Sequence, residues 1–108
     1  MESKEFYKMV ETEIMPKCMA IMKSKGEAYA GQEDKLGNFK RCAKLAGVVV
    51  KKAWFIYFVK HFDALSSFIR DEYKDSEPIE GRILDQINYL FLLYGILKEE
   101  GVIKSDDK

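Results

Sequence analysis

The chain has 108 residues, nearly half of them apolar and a third charged, with 18 basic residues balanced by 18 acidic ones. That length lets one domain bury roughly 60–68% of the surface its unfolded form exposes, so a core can form without disulfide or metal staples. Zero net charge gives no field to draw the chain onto bulk nucleic acid or an anionic membrane, and the composition is not that of a disordered segment.

At the start, "MESKEFYK" carries charges where a secretory leader has its apolar run, and no stretch reaches the ~18 apolar residues of a membrane span. The expected compartment is a reducing cytoplasm. Cys18 and Cys42 stand alone, without a second cysteine or histidine at metal-ligand spacing, which predicts reduced thiols in or near the core. Phe6, Met9, Val10, Ile14, Cys18, Ile21 and Met22 recur at three- and four-residue steps, predicting a long helix over residues 3 to 24. Pro16 removes one backbone donor and crowds the preceding turn, so a kink or break is expected between Thr12 and Met15.

The polar, glycine-bearing "KSKGEAYAGQEDKLGNF" predicts an irregular connection from Lys25 to Phe39, with a short helix opening at Asp34 and reaching Gly47. A third helix is predicted from Val50 to about Tyr73, with Trp54, Phe58, Phe62, Leu65, Phe68 and Ile69 as its apolar stripe. His61 falls on that stripe, Lys60 stands beside it, and Asp63 turns toward solvent. "KDSEP" ends this helix and opens the last one, with Ser76 as the cap, Pro78 in the first turn, and Glu77 and Glu80 at the positive helix end. Gly101 stops the last helix after about Glu100, and residues from about 104 to 108 read as a frayed tail. Without alternating strand patterns, the expectation is an all-α fold: one domain, a helical bundle of three long helices and one short helix.

In "RILDQINYLFLLYGIL" the last helix has two faces. Ile83, Ile87, Leu90, Tyr94 and Leu97 make one apolar face at ~100° per residue, while Arg82, Asp85, Tyr89, Leu92 and Ile96 lie on another side. Such a helix packs against several neighbours or against a second subunit, which predicts a homo-oligomer and at least half-buried positions for Asp85 and Asn88. Buried polar groups require partners. One reading makes Asp85 part of a salt-bridge network with Arg82 or a lysine on a facing helix. The other has Asp85, Asn88 and Tyr89 projecting into a pocket.

The series "KGEAYAG", "LGNFKRCAKLAG", "YFVKHFDAL" and "SEPIEGRILDQINYLFLL" resembles a family of small helical proteins encoded by phages and prophages. Its later half is similar to the nucleotide-modification-associated domain family, in which a serine–glutamate start is followed by an aspartate and an Ile-Asn-Tyr run. The likeness is clearest from Lys25 to Leu93 and implies a setting in phage nucleotide metabolism, in the cytoplasm of a bacterial host, without implying a particular reaction. A more distant resemblance is to the all-α nucleoside triphosphate pyrophosphohydrolases of the MazG and dimeric dUTPase type. Those bundles hold magnesium between Glu-x-x-Glu and Glu-x-x-Asp helices, because the ion demands hard oxygen donors in near-octahedral order.

By that resemblance Asp85 corresponds to a metal ligand, but Arg82 stands where a glutamate belongs, and the third helix offers only Asp63, with Lys60 and His61 in place of the expected acids. The carboxylate set for Mg2+ is therefore incomplete. Lys60, His61 and Arg82 near Asp85 and Asn88 suit contact with phosphate and an amide-rich base edge, with Tyr89 lining the same site. Tyr29 or Phe39 would stack on the base and Asn38 would hydrogen-bond to it; alternatively the two aromatic side chains simply anchor a loop. Two functions stand: a nucleotide-binding or nucleotide-processing protein, or a helical interaction module without catalysis.

Overall fold

The computed structural model describes residues 1–28, 34–74 and 76–104, the side chains of 25–28 apart. Among the described residues there are helices and no strands, as the sequence leads one to expect. The chain forms two compact units, Met1–Gln32 and Glu33–Lys108.

The first unit is a helix in three stretches: α1 (Ser3–Met9), a π-helical turn (Val10–Ile14) and α2 (Met15–Ala28). Pro16 cannot donate to a carbonyl behind it, and the helix accommodates this by widening rather than breaking. The Met15 N–H reaches back five residues to the Val10 carbonyl, the insertion that defines a π turn. Thr12 Oγ1 donates to the Lys8 carbonyl at 2.7 Å, giving that oxygen a side-chain donor beside the altered ladder. The perturbation expected between Thr12 and Met15 is thus present as a change of hydrogen-bond register.

The second unit comprises α3 (Gly37–Ala46), α4 (Val50–Ile69) and α5 (Ile79–Glu99). Asp34 opens α3: its Oδ1 accepts the Leu36 N–H at 2.9 Å, and its carbonyl accepts the Gly37 N–H at 3.0 Å. Leu36, Phe39, Trp54 and Ile96 form the core, with Val50, Phe58, Tyr89, Leu92 and Leu93 packed around it. Trp54 and Phe58 stack with centroids 4.7 Å apart, and Phe39 meets Tyr57 and Tyr89 edge-on.

All three helices end alike. At each C-terminus a residue with positive φ turns the backbone left-handed: Gly47 at 70°, Asp71 at 59° and Gly101 at 79°. The following N–H then reaches five residues back, Val48 to Ala43, Glu72 to Ser67 and Val102 to Leu97, which is the Schellman closure of the last orphan carbonyls. Asp71 ends α4 at Ile69, four residues before the Tyr73 that periodicity suggests. At the other boundary α5 begins at Ile79, with Pro78 in the cap position and no side-chain cap. A residue before proline is pushed out of the helical region, so the helix cannot extend back to Glu77 and Ser76 lies too early to cap it.

Candidate functional site

The site proposed from sequence centres on the first half of α5, and that helix buries the arc the sequence called polar. Asp85 and Asn88 are 8% and 6% exposed, and Leu84 and Ile96 share their side of the wheel. The expectation that Asp85 and Asn88 would be withdrawn from water holds. Ile83, Leu90 and Tyr94, from the other face, stand in solvent.

Arg82, on the rim of the buried arc, has a side chain only 14% exposed, and its Nη2 lies 3.1 Å from Glu77 Oε2. One carboxylate that it faces is therefore that of the residue just before Pro78. Tyr73 helps to fix that partner: the tyrosine hydroxyl donates to the Glu77 carbonyl at 2.7 Å, and its ring packs edge-on against Phe68. A guanidinium that is nearly dry but faces a half-exposed carboxylate holds donors in a planar fork, the geometry that recognises carboxylate or phosphate.

His61 comes from α4. Its ring lies 4.5 Å from the Tyr89 ring, tilted by 38°, so His61 and Tyr89 are brought together across the α4–α5 contact. Trp54, two turns earlier on α4, donates its indole N–H to the Tyr89 carbonyl at 2.7 Å. This pins α5 against α4 at the height of the site. Gln86, between Arg82 and Tyr89, keeps its Oε1 buried and, among the described residues, without a hydrogen-bond donor.

Other expected residues lie elsewhere. Lys60 is solvent-exposed, as is Asp63. Asn38 is half-buried on α3, where its Oδ1 accepts from Arg41 at 3.4 Å. Near it Cys42 Sγ and Tyr57 Oη are 3.3 Å apart. The hydrogen bond to that sulfur and its field raise the Tyr57 phenol above its ordinary 10.0, and Asn38 and Arg41 oppose the rise. Phe39 is buried in the core between Tyr57 and Tyr89, which makes it a packing residue and not a free stacking platform. Tyr29 falls outside the described residues. Neither Cys18 nor Cys42 forms a disulfide.

Magnesium requires several hard oxygen donors converging on one point. Among the described residues no group of three or more His, Cys, Asp or Glu side chains is placed to hold a metal ion. Glu77 is engaged by Arg82, and Asp63 is in solvent. Magnesium usually adds protein carboxylates to substrate phosphates and water, and among the described residues no multi-carboxylate cage is assembled. Sequence reasoning missed Glu77 and Tyr73 as parts of the site. The five-residue step from Glu77 to Arg82 crosses a helix start, so no helical spacing rule could reveal it.

Among the described residues no helix is long and apolar enough to cross a membrane. No family model matches the sequence, and no curated protein and no solved structure is significantly similar to it.

Proposed function

We propose that the chain is a nucleotide-binding or nucleotide-processing protein of phage type, a degenerate relative of the all-α nucleoside triphosphate pyrophosphohydrolases that keeps a ligand site without the full carboxylate cage. The observation that carries this reading is the concentration of hydrogen-bonding side chains at Arg82, Asp85, Gln86 and Asn88, within two turns of an otherwise apolar helix and largely withdrawn from water. Withdrawing this many polar groups from water costs free energy, and contact with a ligand would help to offset that cost. In such a setting each hydrogen bond to a ligand gains strength from the low local dielectric.

In this reading Arg82 exchanges the Glu77 carboxylate for a phosphate, which offers the same fork more oxygens and more charge. His61 supplies a ring beside Tyr89 for a second contact. Gln86 Oε1 accepts from an exocyclic amino group, and Asp85 and Asn88 complete the contact with the base edge. The resemblance of the sequence to small phage-encoded helical proteins supports a role in phage nucleotide metabolism.

The test is thermal denaturation of the full chain against a panel of deoxynucleoside mono-, di- and triphosphates, with and without magnesium. A ligand selective for the folded state stabilises it by about 2.7 kcal/mol at a hundredfold excess over Kd. A rise in Tm for phosphate-bearing ligands, lost in Arg82→Ala, is expected. An unchanged Tm across the panel refutes the proposal.

A further inference from the structure

The α4 and α5 helices each carry a second apolar seam that the core does not use. On α4 it runs through Phe55, Val59, Phe62, Ser66 and Ile69; on α5 it runs through Ile83, Ile87, Leu90, Tyr94 and Leu97. Both follow steps of four, three, four and three residues, the heptad register in which helices pack at about 20° by knobs into holes. Neither seam contains a charged residue.

The two seams form one face. Measured around α4 from Trp54, which faces α5, Tyr57 against α3 lies ~60° one way and the seam lies ~100° the other. Measured around α5 from Tyr89, Gly95, whose Cα side approaches Leu36 at the entry to α3, lies ~120° one way and the seam ~120° the other. On both helices, then, the seam points away from α3.

We infer that this face is a self-association surface, and that its occupant is the same face of a second copy of the chain. Phe55, Phe62 and Ile69 on α4, and Ile83, Leu90 and Tyr94 on α5, are each between 43% and 71% exposed. Half-exposed side chains of this size present on the order of 600 Å² together, the lower end of what each partner contributes to a stable interface. Two adjacent helices with heptad seams, set against their two-fold mates, complete a four-helix bundle, the arrangement that buries both seams at once. A formal net charge of zero means that two copies approach without mutual repulsion. This inference is independent of the nucleotide reading, because the seams lie on the opposite side of α5 from Asp85 and Asn88.

The experiment is a light-scattering mass measurement on the full chain over a concentration series, for the wild type and for Phe62→Glu and Leu90→Glu. The wild type is expected at twice the 12.5 kDa chain mass, and each variant, folded by circular dichroism, at the monomer mass, with dissociation constants raised on the order of a hundredfold or more. Should a buried charge unfold the chain, Tyr94→Ser, which only trims the seam, is expected to shift the same equilibrium toward monomer. A wild type that stays monomeric at the highest attainable concentration overturns the inference and leaves the face to another partner. A dimer that persists unweakened in the folded variants overturns it equally.

Discussion

Replacing Trp54 by phenylalanine isolates the contact that ties α4 to α5. Trp54 is 5% exposed, and its indole N–H donates to the Tyr89 carbonyl at 2.7 Å. That carbonyl sits in mid-helix and also accepts its own helical N–H, so removing the indole leaves no orphaned acceptor. The loss is therefore the net value of one hydrogen bond, about 1 kcal/mol. A phenyl ring is smaller by roughly 40 Å³, and at ~24 cal/mol per Å³ of unfilled cavity this adds about 1 kcal/mol. Phe58, stacked on Trp54, can keep its contact with the new ring. The expected destabilisation is about 2 kcal/mol, against roughly 3–5 for Trp54→Ala, which also empties the stack.

Urea denaturation followed by far-ultraviolet circular dichroism measures this directly, because the variant has lost the chain's one tryptophan and its fluorescence. Protein concentration must be held fixed, since any self-association adds to apparent stability. Equal m-values in both proteins show that the same surface is exposed on unfolding. A Trp54→Phe variant within about 0.5 kcal/mol of wild type, the range of an ordinary surface substitution, refutes the bond and the packing described.

Gly95 lies inside α5, and a Cβ built there meets Leu36 Cδ1 at 3.7 Å, an ordinary contact; Gly95→Ala is expected to stabilise the fold by roughly 0.5–1 kcal/mol in the same urea assay. Asp71 holds a left-handed conformation without being glycine, so Asp71→Gly is expected to raise the denaturation midpoint, and a lowered midpoint contradicts the end of α4 described above. The Lys40 side chain and the Leu36 N–H hold the Asp34 carboxyl below its ordinary 3.8. That depressed value makes the Asp34 contribution present above pH 3.8 and lost as pH falls through the lower folded value, and Asp34→Asn is expected to flatten the acid limb of stability against pH. The Tyr57 phenol is raised above 10.0, chiefly by Cys42; its contribution is intact below that pH and lost as pH rises through the folded value, and Tyr57→Phe is expected to remove this alkaline loss.

The helices were legible in the sequence because their apolar residues recur at helical steps, and the ends of α3 and α5 were legible because glycine marks them. The end of α4 was not. Asp71 performs there the role of Gly47 and Gly101, but aspartate signals many things besides a left-handed turn. Pro16 announced a disturbance without specifying its form, since a kink, a break and a π turn all dispense with the missing donor. At α5, proline was read as a first-turn residue and Ser76 as the cap, whereas the restriction on the residue before proline shifted the start to Ile79.

The burial of Asp85 and Asn88 followed from α5 being apolar on more than one side. Which apolar face enters the core did not follow, because Ile83, Leu90 and Tyr94 are as apolar as Leu92 and Ile96. Only the positions of Trp54 and Leu36 decide it. The pairing of His61 with Tyr89 likewise depends on the relative height of α4 and α5, which no single-helix pattern records. Lys60 illustrates the same limit: one residue from His61, it is turned ~100° around α4 and stays in water.

The site itself is tested most directly by calorimetric titration of deoxynucleoside triphosphates into the wild type, Arg82→Ala and Lys60→Ala. A saturable heat in the wild type, weakened at least tenfold in Arg82→Ala and little changed in Lys60→Ala, is the expected result. No heat from any nucleotide, or equal affinity in wild type and Arg82→Ala, would contradict the assignment of α5 as a phosphate-binding helix.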